Sequence, residues 1–235
     1  MKILMMTRLS SLFLFLLFST FTLKASYILI PMDEDNQKDH LKAYGIAFWT
    51  LENDLTVDWL LNYRGGSFLI ENHTQIEKEC IIRGVSYEII TNAYKQQLQL
   101  ELANPESNTD IIKLEKAPKV AVYSPEGNLP WDDAVTMVLT YAEIPYDIIY
   151  DEEILSEMLS IYDWLHLHHE DFTGQYGKFY STFKNAPWYQ EQKMNFENEA
   201  SRLGYSKVSN QKLDVAIKIK EFLVGGGFLF AMCSA

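Results

Sequence analysis

The sequence predicts an α/β protein built as two α/β layers with mostly parallel sheets, and three observations carry that prediction. Short apolar runs alternate with segments of helical period along most of the chain, the pattern of strands joined by helical crossovers. The polar, proline-bounded stretch from Asn104 to Pro118 interrupts the alternation, which then restarts. The last helical segment runs into Gly225-Gly226-Gly227 and a final apolar run, Phe228 to Met232. Glycine stops a helix without steric cost, and an apolar run of this length after such a stop reads as a buried strand.

At 235 residues and 48% hydrophobic content, the chain can bury one large core or two modest ones. Its formal net charge of −12 argues against nucleic acid, whose binders present basic patches. Residues 1–25 read as a secretory signal peptide. Lys2 and Arg8 precede a nearly unbroken apolar stretch from Leu9 to Leu23, and Lys24-Ala25-Ser26 supplies small residues at the exit. Cleavage after Ala25 would leave an exported protein, periplasmic, outer-surface or secreted, with no membrane span. The two cysteines are expected as free thiols, Cys80 buried on a helix and Cys233 at a strand end.

In the first domain, residues 26–117, Tyr27 to Pro31 reads as a strand and His40 to Leu51 as a helix facing the core with Leu41, Tyr44, Ala47, Phe48 and Leu51. Thr56 to Tyr63 is strand-like, Arg64-Gly65-Gly66 is a breaker that could hold an anion or simply turn, and Ser67 to Ile70 resumes the strand pattern. A helix from Gln75 to Arg83 ends at Gly84, a strand covers Val85 to Ile90, and a helix covers Ala93 to Leu102. In the second domain, residues 118–235, strands are expected at Val120–Tyr123, Ile148–Tyr150 and Asp163–His168. Helices are expected at Ala134–Ala142, Gln190–Leu203 and Leu213–Val224, and Phe172 to Trp188 forms a long aromatic, glycine-containing excursion.

The terminal stretch places Cys233 between small or flexible residues at the end of the Phe228–Met232 strand. The order helix, glycines, apolar strand, cysteine resembles the nucleophile elbow of the class I glutamine amidotransferase-like superfamily, over about residues 119–235. In that family glycines flank the cysteine, where Met232 and Ser234 stand here. The resemblance implies a flavodoxin-like sheet, truncated after its elbow strand, and a chain that is the front part of a longer protein, inactive as a fragment. It also implies Cys233 as nucleophile, with the Ser234 amide in the oxyanion hole.

Tyr27 to Asp33, Asn62 to Phe68 and His166 to Gly177 are similar to exported Bacteroidota proteins carrying the label asparagine synthetase B. This likeness covers nearly the whole mature chain. Glutamine-dependent asparagine synthetases use a cysteine directly after the initiator methionine, where Lys2 stands here, and the chain has no glycine-rich phosphate loop. No cofactor is expected.

His166-Leu167-His168-His169-Glu170-Asp171 is the second chemical cluster. In an extended segment His166 and His168 share a face and His169 points oppositely. Ligands of open α/β sheets bind beyond the carboxyl ends of the strands, so His168, His169 or Glu170 could activate the thiol of Cys233. His166 and His168 with Glu170 could instead hold zinc, although two histidines and an acid are a common coincidence and no metal is expected. Asp171 and Tyr176 are further candidates for substrate contacts, and the aromatic Phe172 to Tyr180 run could cover them as a lid. Two functions follow. One is an exported amidotransferase or amidohydrolase using Cys233; the other is a non-catalytic module holding a small molecule, sugar or peptide on the same scaffold.

Overall fold

The computed structural model describes residues 26–104, 106, 108–125, 134–168, 172 and 180–232. Residues 1–25, read from the sequence as a signal peptide, therefore lie outside the described residues. Among those described, no helix is long and apolar enough to cross a membrane. The chain divides into two compact units between Glu115 and Lys116.

The first unit runs β1 (Ser26–Ile30), α1 (His40–Glu52), β2 (Val57–Leu61), β3 (Ser67–Glu71), α2 (Thr74–Arg83), β4 (Glu88–Thr91), α3 (Asn92–Leu102) and β5 (Asp110–Leu114). Its sheet has the order β4-β1-β3-β2-β5, and every neighbouring pair is antiparallel. This corrects the expectation of a mostly parallel sheet. The connection from β2 to β3 is Asn62 to Gly66, far too short for a crossover, so those strands form a hairpin. The helical crossovers β1-α1-β2 and β3-α2-β4 each span an intervening strand, which makes two interleaved split βαβ units in the ferredoxin-like arrangement. Strand–helix alternation is the same in either topology; only the hairpin distinguishes them.

The hairpin turn is fixed by backbone packing. Met32 N–H donates to the Arg64 carbonyl at 3.0 Å and Gly66 N–H to that of Tyr63 at 3.0 Å. Gly65 has φ +80°, and a Cβ there would stand 2.3 Å from the Met32 carbonyl oxygen. Only glycine fits. Arg64 itself is spent on ion pairs with Asp33 at 2.9 Å and Glu88 at 2.8 Å, so this segment is a turn closed upon β1.

The helices of this unit show why some faces were misread. Asp39 caps α1 by accepting from Lys42 N–H at 3.0 Å, which is worth about 1 kcal/mol. The buried stripe of α1 is Ala43, Ile46, Ala47, Thr50 and Leu51, whereas Leu41 and Tyr44 are exposed. Thr50 reaches the interior because its hydroxyl donates back to the Ile46 carbonyl at 2.8 Å. On α2 the predicted inward thiol is confirmed: Cys80 is fully buried. The stretch from Asn104 to Pro118 that interrupts the alternation holds a strand, since β5 pairs with β2 from Asp110 to Leu114.

The second unit runs β6 (Val120–Tyr123), α4 (Ala134–Ala142), β7 (Asp147–Ile149), α5 (Asp151–Leu155), a 3-10 turn (Met158–Ile161), β8 (Trp164–His168), α6 (Tyr180–Phe183), α7 (Pro187–Arg202), α8 (Val208–Val224) and β9 (Phe228–Met232). Its sheet is wholly parallel in the order β7-β6-β8-β9. The winding reverses between β6 and β8, since the chain moves outward to β7 first and then to the other side. The helix α8 covers one face, with Val215 and Ile219 packed among Leu165, Leu167, Tyr123 and Ile154.

In the sequence, Phe228–Met232 reads as a buried strand. Among the described residues β9 is the outermost strand, and Phe228, Phe230 and Met232 are 59%, 46% and 38% exposed. Leu229 packs towards α8. Its alternating neighbours meet the next strand, Phe228 edge-on to Trp164 at 6.2 Å and Phe230 stacked on His166 at 5.7 Å.

Candidate functional site

Parallel strands send all their carboxyl ends to one edge, and this edge collects the chemistry of the second unit. Tyr123 closes β6, Tyr150 and Asp151 follow β7 directly, and His168 closes β8. The strands β8 and β9 finish in register, with His168 paired to Met232. Cys233, Ser234, His169, Glu170, Asp171 and Tyr176 lie outside the described residues. His166 sits two residues below the edge, buried in mid-strand and covered by Phe230. Among the described residues no group of three or more histidine, cysteine, aspartate or glutamate side chains could hold a metal ion.

The other cysteine offers no competing nucleophile. Burial pushes the Cys80 thiol up to about 12, against an opposing pull from Arg83. A thiol held protonated and sealed in a core is neither a ligand nor an attacking group.

What sequence reasoning missed is a charged cluster inside this carboxyl edge. Lys212 and Asp151 are 4% and 1% exposed and lie 2.9 Å apart. The Lys212 ammonium also donates to the Tyr123 hydroxyl at 2.8 Å and the Tyr150 hydroxyl at 2.9 Å. Asp151 accepts further from the Tyr123 hydroxyl and from Gln211 Nε2, the latter at 2.7 Å. Two charges are thus taken from water, and each is surrounded by hydrogen-bonding groups that offset the desolvation. The rings pack as well. Tyr123 lies 4.9 Å from Tyr150 and 5.5 Å from Phe172, and the ammonium sits 4.3 Å from the Tyr150 ring centre.

The expected α8 began at Leu213, one residue too late to include Lys212. The helix starts at Val208, and its first turns carry Gln211 and Lys212 into the interior. Polar residues at those positions looked like a solvated approach. The usable signal was Tyr123 and Tyr150-Asp151, polar aromatic and acidic residues placed at strand ends, where ligand sites of open sheets form.

Beside this cluster is a groove of about 700 Å³, lined by Pro125 and Tyr150 from the strand ends, by Glu152 and Glu153, and along one side by α7 from Trp188 to Arg202. Glu153 accepts from Tyr150 N–H at 2.9 Å, and Glu152 pairs with Arg202 at 2.6 Å. The Arg202 guanidinium holds the Glu152 carboxyl below its usual range. Glu199 behaves oppositely: burial first, then the nearby negative charge of Asp151, pushes its carboxyl up despite Lys212 and Arg202. The groove therefore joins aromatic faces, carboxamides and carboxylates above a rigid floor.

No family model matches the chain, and no curated protein or solved structure is significantly similar to it.

Proposed function

We propose that the protein is an exported amidotransferase- or amidohydrolase-like enzyme of the class I glutamine amidotransferase-like type, using Cys233 as nucleophile. The observation that carries this reading is the register of β8 and β9: His168 is paired with Met232, the residue immediately before Cys233. The strand order, first neighbour outward and then two strands on the opposite side, agrees with a flavodoxin-like sheet. In the proposed reaction a thiolate attacks an amide carbon, and the developing oxyanion is stabilised by backbone amides that include Ser234. The C–N bond breaks as His168, His169 or Glu170 returns a proton to the leaving nitrogen. Water then hydrolyses the thioester. The asparagine synthetase B-like resemblance and removal of residues 1–25 belong to the same proposal, and the mature chain would begin at Ser26.

The test is made on the full-length exported protein with glutamine and asparagine as amide substrates. Cys233→Ala should abolish ammonia release and remove the fast-alkylating thiol, while Cys80→Ala should leave both unchanged. Ammonia release that survives Cys233→Ala would overturn the assignment. A second reading, a module that binds without catalysis, is favoured by the groove beside Tyr150 and Trp188, which has the size and mixed lining of a ligand site.

A further inference from the structure

We propose that the groove between α7 and the carboxyl ends of β6 and β7 is a carbohydrate site that takes neutral or amino sugars and rejects anionic ones. It rests on reading the carboxyl edge as the ligand-binding edge, a premise that enzyme and binding module share.

The floor is preorganised. Tyr150 is 7% exposed, and its hydroxyl and ring are both held by the Lys212 ammonium beneath. Its backbone is pinned by Glu153. A ligand meeting this surface has little ordering cost to supply, which is how modest contacts become affinity.

The wall supplies an apolar face. Trp188 is 53% exposed at the groove, a large indole presented to solvent, and it is braced by Phe183 at 5.3 Å and Tyr189 at 5.4 Å. A braced, exposed aromatic beside polar groups suits a ring with one hydrophobic face and hydroxyls around its rim, the description of a pyranose. Asn195 offers both donors and acceptors along α7, and Glu191 and Glu199 offer acceptors only. That set matches vicinal hydroxyls, which can both give and take hydrogen bonds.

Charge sets the selectivity. The two glutamates at Glu152 and Glu153 are engaged by Arg202 and by the Tyr150 amide, while Glu191 and Glu199 keep the lining acidic. A phosphate or uronate would be repelled there, and a protonated amino sugar tolerated or drawn in. At about 700 Å³ the groove accommodates one or two sugar rings.

The experiment uses the whole chain and a fixed set of probes: cellobiose, maltose, lactose, N,N′-diacetylchitobiose, glucosamine, glucuronic acid and the peptide Lys-Ala-Lys. Saturation-transfer NMR and tryptophan fluorescence report binding. At least one neutral or amino sugar should bind with a Kd below about 10 mM. Trp188→Ala should weaken that binding by about tenfold, the loss of one stacking aromatic. Asn195→Ala, an exposed helical substitution that leaves the fold intact, should weaken it by about threefold. Cys233→Ala should bind as the parent does, so failure of the catalytic assignment and failure of this one are read separately. Absence of sugar binding overturns the proposal, as does affinity in both Trp188→Ala and Asn195→Ala within twofold of the parent. Equal binding of glucuronic acid overturns the charge argument, and binding of the peptide alone assigns the groove to peptides.

Discussion

Lys212 is the residue on which the interior of the second unit depends. Its ammonium has four oxygens around it and almost no contact with water. Replacing it by methionine keeps the aliphatic stem but leaves Asp151 charged, buried and short of its counter-ion. Such a half-removed pair costs about 3–5 kcal/mol. Lys212→Met should therefore lower the unfolding free energy of the second unit by that amount, measured by denaturant titration. Adding Asp151→Leu should recover much of the loss, because an apolar pair of similar volume needs no desolvation. A loss under 1 kcal/mol in the single variant would show that water reaches Asp151. The cluster was invisible in the sequence for a simple reason: Lys212 precedes the apolar residues of α8, and only the tertiary position of Tyr123 and Asp151 tells that it turns inward.

At the scale of elements, most of the strands and helices were readable and most of the facing was not. The helix α4 stands at its expected bounds, Ala134–Ala142, and β9 at Phe228–Met232. Yet of the apolar residues that mark α8 in the sequence, Leu213, Ile217 and Leu223 are exposed, while Ile219 is buried together with Val208 and Val215. Apolar residues on both sides of a helix blur its period, and the neighbouring strands decide which stripe goes in. The hairpin of the first unit was legible as a breaker but not as a reversal of sheet direction. Gly65 is where that element is most vulnerable. Its φ of +80° strains any other residue, and the obstruction is backbone, the Met32 carbonyl, which has no rotamer by which to move aside. Gly65→Ala should cost more than about 1 kcal/mol, seen as a lowered midpoint of the first unit. Gly84→Ala serves as the control. Its φ is also positive, but nothing lies within 4 Å of the added carbon, so its cost should be smaller. Equal costs would mean that strain alone, without the clash, governs the turn.

The two units differ as whole bodies in how they treat their sheet edges. The outer strands of the first sheet are β4 and β5, short and interrupted by charge: Glu88 in the one, Asp110 and Lys113 in the other. Charged residues on an edge discourage pairing with a second chain. The second sheet has β9 as an outer strand, with no charged residue between Phe228 and Met232 and three large side chains exposed on it. The backbone groups on its far side extend the ladder only if another strand or a covering element meets them. Residues 116–235 expressed alone should therefore associate at concentrations where residues 26–115 stay monomeric, as measured by light scattering and sedimentation. Phe230→Lys should suppress the association by placing a charge on the open edge. The substitution also removes the ring stacked on His166, so Phe228→Lys provides an independent variant in which that stack survives. Association that persists in both would assign it to another surface, such as the exposed Met137, Val138 and Tyr141 on α4. Suppression in both would identify β9 as the surface that this unit must cover to remain soluble.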